Sequence, residues 1–315
     1  MGKGLVITRP GGPEVMKLEE LPRRSVQPHH VRVDVAAAGV NPVDAGNRSD
    51  PSWAGVAPPY VVGYEFAGCV VEVGEEVRDL AVGTEVWGLL PVRGSRWGAY
   101  ASEIVVDAHL VAERPLALDV LEAAVLPLAG GTALQLLDRL DPAPGEWILI
   151  HAAAGGVGHL LVQMCHARGL RVAALASVPR HQLLRRLGVE VVVDRHRPDA
   201  IRAAHAQAGT DFAMVADLVG GGTLAASVGV LAEGGRAGSI GGFTGDFDQA
   251  VDRNVRLHGV LLRPGRDVLR RLSDLAAAGR LRPVIDQVLP LVEAARAHER
   301  VETGSGQGKL VLTVP

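Results

Sequence analysis

One segment constrains the fold more than any other: residues 146–165 combine a strand, a glycine turn and the start of a helix. Residues 147–150 form a short apolar run, and apolar side chains recur at helical spacing over residues 157–164. The backbone of such a turn can approach the phosphates of a dinucleotide, and the new helix directs free N–H groups at them. The segment therefore predicts a dinucleotide site. A tight β-α turn without a ligand is the alternative, because Ala153 stands where the pattern G-x-G-x-x-G has its first glycine.

The residues that follow Pro115 alternate between strand and helix patterns. Strands that alternate with helical crossovers indicate a doubly wound parallel sheet, in which ligands bind beyond the carboxyl ends of the strands. This context strengthens the prediction of a nucleotide site. The predicted strands are residues 147–150, 171–177, 190–194, 211–218, 236–240 and 257–262, and the predicted helices are residues 119–137, 179–187, 200–208, 224–233 and 267–278.

The first part of the chain has a different pattern. Residues 5–114 contain short alternating strands separated by glycines, which predicts an antiparallel, partly closed β domain. Residues 46–59 lack periodicity and are predicted to form a surface loop of the kind that often carries substrate contacts. A strand at residues 309–314 is expected to return to the β domain. We therefore predict a β-rich domain of residues 1–117, completed by residues 263–315, and a nucleotide-binding domain of residues 118–262.

Composition limits the partners of the chain. A length of 315 residues suits about two domains. The net charge of −3 provides no basic surface for nucleic acid, so we exclude DNA and RNA as primary partners. No apolar run is long enough to cross a membrane, and the first residues lack a secretory signal. The two cysteines are too few for a disulfide framework, so we expect a cytoplasmic protein that acts on a small molecule.

Five motifs in order resemble one family, the zinc-free quinone oxidoreductases of the medium-chain dehydrogenase/reductase superfamily. The resemblance implies a GroES-like catalytic domain, a six-stranded Rossmann domain and a homodimer. It covers nearly the whole chain. The motifs are GVNPVD at residues 39–44, GYEFAG at 63–68, HAAAGGVG at 151–158, DLVGG at 217–221 and GKLVL at 308–312.

The same resemblance bears on zinc. Related alcohol dehydrogenases carry a cysteine at the position of Asn41 and a histidine at the position of Tyr64. Neither Asn nor Tyr is a usual zinc ligand, and a catalytic zinc needs three protein ligands. Without a Lewis acid the oxidation of an alcohol loses its activation route. What remains is hydride donation to an acceptor that is already polarised, such as a quinone or an α,β-unsaturated carbonyl.

The catalytic candidates are Asn41 and Tyr64. In the family Asn41 lies at the nicotinamide end of the cleft, so its amide is expected to bind the nicotinamide or to donate to the acceptor oxygen as charge builds there; an Asn-Pro turn is the alternative. Tyr64 is a candidate proton donor, with simple packing as the alternative. Asp44 is expected to brace the turn. Many relatives carry a tyrosine at the position of Gly46, so the pocket is expected to be wider here.

Other side chains are candidates for substrate and cofactor contacts. The side chains predicted to stack against a flat substrate, although each is also suited to core packing, are Trp53, Tyr60, Trp97 and Tyr100. No carboxylate ends the second predicted strand, where enzymes specific for NAD place one, and we predict NADPH with Ser177, Arg180 and Arg195 at its 2′-phosphate. The resemblance implies further cofactor contacts at Asn41, Thr132, Ala154, Gly155, Gly156, Val157, Gly158, Val219, Ser239, Ile240, Leu261 and Lys309.

Together these features predict an NADPH-dependent, zinc-free reductase that delivers hydride to a conjugated carbonyl. The first alternative is an enoyl reductase acting on a thioester-bound chain, since polyketide enoyl reductases carry a similar HAAAGGVG turn. The second is a non-catalytic NADPH-binding protein. A methyltransferase is disfavoured because the second strand does not end in an acidic residue.

Overall fold

A computed structural model describes residues 2–315, which divide into two compact units. Unit 1 comprises residues 2–131 and 263–315, and unit 2 comprises residues 132–262. No helix of this described part is long and apolar enough to cross a bilayer. The strands are β1 (Lys3–Ile7), β2 (Met16–Glu20), β3 (His30–Val40), β4 (Glu65–Val73), β5 (Glu85–Leu89), β6 (Glu103–Asp107), β7 (Val111–Glu113), β8 (Trp147–His151), β9 (Arg171–Ala176), β10 (Val191–Asp194), β11 (Phe212–Asp217), β12 (Leu231–Ser239), β13 (Arg256–Gly259), β14 (Ile285–Pro290) and β15 (Lys309–Thr313). The α-helices are α1 (Pro42–Ser49), α2 (Val120–Val125), α3 (Pro127–Leu140), α4 (Gly158–Ala167), α5 (His181–Arg186), α6 (Ala200–Ala208), α7 (Thr223–Ser227), α8 (Asp248–Asp252), α9 (Arg266–Ala277) and α10 (Ala294–Glu302).

Unit 2 is built on a six-stranded parallel sheet. Its strand order is β10-β9-β8-β11-β12-β13, so the first strand of the unit, β8, lies in the middle. The next two strands are added on one side of it and the last three on the other. This order is that of a dinucleotide-binding sheet, and it confirms the predicted doubly wound fold. Every residue of β8 is buried, as expected of a strand covered by helices on both faces.

Unit 1 is β-rich, as predicted. Its larger sheet has the order β14-β15-β3-β4-β5-β7, with β6 also paired to β3, and β1 and β2 form a separate hairpin. The pairs of β3 with β4, β6 and β15 are antiparallel. The last strand of the chain therefore returns to the sheet of the first hundred residues, as the sequence predicts.

The predicted loop at residues 46–59 is wrong in its first part. Residues up to Ser49 belong to α1, which begins after Asn41. Pro42 suits the first helical position because its missing N–H needs no partner there. The carboxylate of Asp44 accepts the N–H of Asn41 at 2.6 Å, and the N–H of Asp44 donates to the carbonyl of Asn41 at 3.0 Å. These local bonds start a helix that periodicity does not reveal.

Two other predicted helices are interrupted. The helix predicted at residues 119–137 is two helices, because Pro127 starts α3 and cannot continue the hydrogen-bond ladder of α2. The helix predicted at residues 224–233 ends after α7, and β12 begins at Leu231; the β-branched Val228 and Val230 and the intervening Gly229 are poor helix formers. Residues 118–131 lie in unit 1, where α2 packs on β3 and β4, whereas the predicted boundary followed residue 117.

Candidate active site

The glycine turn of unit 2 has the geometry of a phosphate cradle. A Cβ atom on Gly158 would lie 2.4 Å from the carbonyl oxygen of Ala152, so only glycine lets α4 begin this close to the end of β8. Gly155 donates its N–H to Ala152, and His159 donates to the carbonyl of Gly155. Within residues 2–315 the intervening N–H groups of Gly156 and Val157 donate to no protein acceptor. Free N–H groups at a helix N-terminus fit a dinucleotide pyrophosphate.

We expect Gly158→Ala to weaken cofactor binding and to destabilise the protein by about 1–3 kcal/mol, because the methyl group collides with backbone rather than with a movable side chain. Fluorescence titration with the reduced nicotinamide and thermal melting measure the two effects. Gly265→Ala is the matched control, since a Cβ at that position meets no atom within 4 Å. Unchanged cofactor affinity in the Gly158 variant would show that the turn is not the cradle.

The remaining predicted cofactor contacts of unit 2 lie at one edge of the sheet. Ser177 follows β9, Arg195 follows β10, Val219 follows β11, Ile240 follows β12 and Leu261 lies beyond β13. The strands are parallel and neighbouring in the sheet, so their carboxyl ends meet at this edge. Ala154, in the turn after β8, is buried at the same edge. The structure therefore brings these positions together, while their contacts with a cofactor stay predictions.

Asp217 holds the loops at this edge, and sequence reasoning did not single it out. Its buried carboxylate accepts the N–H groups of Val219 and Gly220 at 2.9 and 3.0 Å and the hydroxyl of Ser239 at 3.1 Å. The Ser239 oxygen in turn accepts the N–H of Gly241. The Ser239 hydroxyl thus braces two loops, and its contact with a cofactor stays a prediction. The available signal was the run of three glycines, residues 220–222, that follows this aspartate in the sequence.

The predicted 2′-phosphate position is partly exposed and carries no carboxylate of its own. Ser177 and Arg180 are half-buried, and Arg195 is exposed. Asp194, at the end of the neighbouring strand β10, lies in register with Ala176, and its carboxylate accepts the N–H of His196 at 3.2 Å. Asp194, the acidic residue paired with the end of β9, therefore forms its hydrogen bond within the loop that follows β10.

The site in unit 1 is a buried cluster of Asn41, Glu65 and Lys309, which are 3%, 0% and 3% exposed. The Lys309 ammonium lies 2.8 Å from Glu65 Oε1 and also donates to Asn41 Oδ1 and to the carbonyl of Val40. Asn41 Nδ2 donates to the same Glu65 oxygen at 2.8 Å. Glu65 Oε2 accepts the N–H of Leu128. An ion pair buried this deeply is held only because further hydrogen bonds satisfy it.

This cluster fixes the orientation of the Asn41 amide. Lys309 offers only donors and Glu65, as a carboxylate, only acceptors, so Oδ1 must face the ammonium and Nδ2 the carboxylate. One N–H of Nδ2 points to Glu65, and the second has no partner among the described residues. At the start of α1, the Asn41 N–H donates to the Asp44 carboxylate and the Asp44 N–H donates to the Asn41 carbonyl. A rigidly held amide with one unused N–H can donate to an oxygen that gains negative charge.

Asp44 braces the same turn, as the sequence predicts. Its second carboxylate oxygen accepts the N–H of Gly63 at 3.2 Å. Burial raises the pKa of Asp44 to about 7 against the opposing effect of these backbone hydrogen bonds and of Lys309.

Behind Asp44 lies a buried polar chain that the sequence did not reveal. The guanidinium of Arg48 donates to His298 Nδ1 at 3.1 Å, so Nε2 of that ring carries the hydrogen and donates to the hydroxyl of Tyr100 at 3.2 Å. The Tyr100 hydroxyl lies 3.5 Å from Asp44. Burial and the neighbouring Arg48 lower the pKa of His298 to about 3, which keeps the ring neutral. This series of hydrogen bonds links α1, which contains Arg48, to α10, which contains His298.

The aromatic residues that were predicted to contact substrate differ in their burial. The hydroxyl of Tyr64 is enclosed and accepts a hydrogen bond from Asn47 at 2.7 Å, and burial raises its pKa. This geometry favours the packing alternative over the predicted proton donor. Tyr60 is fully buried and donates to the carbonyl oxygens of Asn47 and Arg48, so its predicted stacking on a substrate is wrong. Trp53 is 46% exposed and Trp97 is half-buried, and both stay candidates.

Two further cofactor predictions fall outside the sheet edge. The three N–H groups of the Lys309 ammonium all bond within unit 1, and its predicted contact with a cofactor stays a prediction. The ammonium of Lys309 fixes the orientation of the Asn41 amide by donating to its oxygen. Thr132 is buried within α3.

The residues of unit 1 do not fit a catalytic zinc. Asn41 and Tyr64 stand at two expected ligand positions, and the Asn41 oxygen and Glu65 already bind the ammonium of Lys309. A divalent cation beside that ammonium would be repelled. No group of three His, Cys, Asp or Glu side chains within residues 2–315 is placed to hold a metal.

Known proteins match the chain over both units. Residues 27–116 match the alcohol dehydrogenase GroES-like domain, and residues 187–312 match a family described as zinc-binding dehydrogenase. The chain is 32% identical to an NADPH-dependent alkenal/one oxidoreductase, chloroplastic, of Arabidopsis thaliana, over 98% of this chain and 79% of that protein. It is 35% identical to polyketide synthase GfsB of Streptomyces halstedii, over 90% of this chain and 5% of that protein. The solved structure of the quinone oxidoreductase from Coxiella burnetii superposes with a TM-score of 0.92 at 32% identity, covering 100% of this chain and 99% of the other.

Proposed function

The chain belongs to the zinc-free quinone oxidoreductase and enoyl reductase branch of the medium-chain dehydrogenase/reductase superfamily, and on this premise we propose that it reduces conjugated carbonyls with NADPH. The acceptor is a quinone or an α,β-unsaturated carbonyl. The observation that carries the proposal is the Asn41 amide, which the buried pair of Glu65 and Lys309 holds with one N–H unused. The names of the relatives agree with this acceptor class, since they describe an alkenal/one oxidoreductase and a quinone oxidoreductase.

The residues of unit 1 stabilise the negative charge that develops on the acceptor during the reaction. The cofactor, when bound, supplies a hydride to the β-carbon of the acceptor, and negative charge then develops on the carbonyl oxygen. The free N–H of Asn41 donates to that oxygen, and it needs no reorganisation because Lys309 and Glu65 hold the amide beforehand. The Tyr64 hydroxyl is enclosed, which argues against it as the proton donor, and we infer that water supplies the proton that completes the reaction. A hydroquinone anion accepts such a proton directly.

The test is NADPH oxidation followed by nicotinamide absorbance with a panel of quinones and enones. Turnover of conjugated carbonyls, with saturated ketones left unreduced, would support the proposal. Cofactor binding without oxidation by any acceptor would instead favour the non-catalytic alternative.

The preference for NADPH rests on Ser177 and Arg180, which follow a strand that ends without a carboxylate. We expect Arg180→Ala to weaken NADPH binding by about 1.5–3 kcal/mol, the range for a hydrogen bond to a charged group, and to leave NADH nearly unchanged. Fluorescence titration with both cofactors measures this difference. Arg186→Ala, on the exposed surface of α5, is the control. Equal losses for NADPH and NADH would disprove the assignment of Arg180 to the 2′-phosphate.

We extend the proposal to a homodimer in the cytoplasm, which the family resemblance implies. Light scattering during gel filtration tests the first part. A mass near twice the 33.0 kDa of one chain is the expected result, and the mass of a single chain would contradict it.

A further inference from the structure

The buried series of hydrogen bonds from Arg48 to Asp44 runs in one direction. Arg48 is 2% exposed and offers only donors, so the neutral ring of His298 accepts at Nδ1 and donates from Nε2 to the oxygen of Tyr100. The hydrogen of the Tyr100 hydroxyl is then left for the Asp44 carboxylate, which lies 3.5 Å away. Each link therefore donates towards Asp44, starting from the permanent positive charge of the guanidinium.

The ring of Tyr100 reaches Asp44 because Gly63 has no side chain. A Cβ atom on Gly63 would lie 2.4 Å from Cδ1 of Tyr100 and 2.8 Å from its backbone nitrogen. Gly63 also has a φ of +98°, a conformation that favours glycine, and its N–H donates to the second oxygen of Asp44. The same close packing encloses the Tyr100 ring completely, so this ring is not open to stack on a substrate as predicted.

Every group that hydrogen-bonds to the Asp44 carboxylate within residues 2–315 is a donor. Oδ2 accepts the N–H of Asn41 at 2.6 Å and the hydroxyl of Tyr100, and Oδ1 accepts the N–H of Gly63 at 3.2 Å. Three donors suit a carboxylate, whereas a proton on this group would stand against a donor hydrogen. The ionised form of Asp44 therefore holds the backbone of Asn41 most firmly.

The ionisation of Asp44 is closely balanced. Burial raises the pKa of this carboxyl to about 7, and the charge of Glu65 acts in the same direction, while the two backbone N–H groups and the ammonium of Lys309 act against both. Burial and the charge of Asp44 raise the pKa of the Tyr100 hydroxyl, and likewise that of Tyr64, so both hydroxyl groups keep their hydrogens. One donated hydrogen bond is therefore enough to shift the pH at which Asp44 loses its charge.

We propose that Arg48, His298 and Tyr100 are positioning residues for the reduction. Their directed hydrogen bonds favour the ionised form of Asp44, which in turn holds the backbone of Asn41. The inference rests on the proposed reductase activity and adds to it three residues that do not touch the acceptor. Because acid protonates Asp44 and so loosens the turn that carries the Asn41 amide, kcat is expected to fall as the pH is lowered.

The experiment is the pH profile of kcat, measured at saturating NADPH and acceptor. In the wild type kcat is expected to fall as the pH is lowered through about 7. Tyr100→Phe keeps the ring and removes the donor to Asp44, so the midpoint of this fall is expected to rise by roughly half to one pH unit, the value of one hydrogen bond. The KM for NADPH is expected to stay unchanged. Infrared difference spectroscopy of the protonated carboxyl, assigned by its loss in Asp44→Asn, follows the same titration without turnover.

Three further variants separate positioning from packing. The amide of His298→Gln still accepts from Arg48 and donates to Tyr100, so this variant is expected to keep the wild-type midpoint, whereas His298→Leu does neither and is expected to raise it. Tyr60→Phe is the matched control, because it also removes a buried hydroxyl, but one that bonds to two carbonyl oxygens of α1 rather than to Asp44. It is expected to lower the melting temperature and to leave the midpoint in place. A thermal melt checks that each variant folds, and His298→Leu tests the same series if Tyr100→Phe does not fold.

The outcomes distinguish the positioning role from the activity itself. A midpoint in Tyr100→Phe equal to that of the wild type would overturn the inference, as would equal shifts in His298→Gln and His298→Leu, since packing alone would then explain the series. A kcat that stays constant through the infrared titration of Asp44 would also overturn it, while leaving the proposed function intact. No turnover of any acceptor would remove the proposed function, and the positioning role with it.

Discussion

Replacement of Asn41 by alanine is expected to lower kcat by roughly 10²-fold for quinones and enones alike, which is the cost of removing one donor to a developing oxyanion. The loss falls on kcat because the hydrogen bond strengthens as charge builds on the acceptor oxygen in the transition state. The KM for NADPH should change little. Steady-state kinetics with one quinone and one enone measure the effect, and equal loss for both distinguishes an oxyanion donor from a contact to one substrate.

The controls for the Asn41 variant use the start of α1 and the nearby residue Tyr64. The bonds of the Asn41 backbone with the carboxylate and the N–H of Asp44 do not involve the Asn41 side chain, so truncation leaves them in place. A thermal melt checks that the variant stays folded. Tyr64→Phe removes a hydroxyl that contacts Asn47 and is expected to keep enone turnover. If Asn41→Ala retains the kcat of the wild type, the donor has been assigned to the wrong residue.

The architecture of unit 2 could be predicted from the sequence because its signals are local. Strands β8 and β11 are apolar runs up to their last residue, and the glycine turn between β8 and α4 follows from seven adjacent residues. Helix α1 could not be predicted in this way. It is short and contains Gly46, Asn47 and Ser49, which are weak helix formers, so its stability comes from the Asp44 cap and from tertiary contacts such as that of Asn47 with Val92.

The candidate site was predictable only in part for the same reason. Asn41 stands out because of its place in a motif, whereas Glu65 and Lys309 are separated by 244 positions and meet only because β3 pairs with both β15 and β4. Composition also did not separate buried aromatic residues from exposed ones. Tyr60 and Trp53 lie seven positions apart in one loop region, yet the first is enclosed and the second is open, because the Tyr60 hydroxyl is bonded to the end of α1.

Lys309→Met is expected to destabilise the protein by about 3–5 kcal/mol, because it leaves the Glu65 carboxylate buried without its cation. The methionine approximates the length of the lysine stem, so the loss reflects charge more than volume. Chemical denaturation measures the free energy of unfolding. The double variant Lys309→Met/Glu65→Gln is expected to recover much of this loss, since no unpaired charge then remains in the core.

The same double variant tests whether Lys309 and Glu65 are positioning residues for Asn41. Without the ammonium and the carboxylate, the Asn41 amide loses the two partners that distinguish its oxygen from its nitrogen. We therefore expect a folded enzyme with lowered kcat and a nearly unchanged KM for NADPH. A double variant that regains stability and also keeps the kcat of the wild type would show that the buried pair serves the fold alone. A Lys309→Met variant as stable as the wild type would show that Glu65 takes up a proton or finds another partner when the lysine is removed.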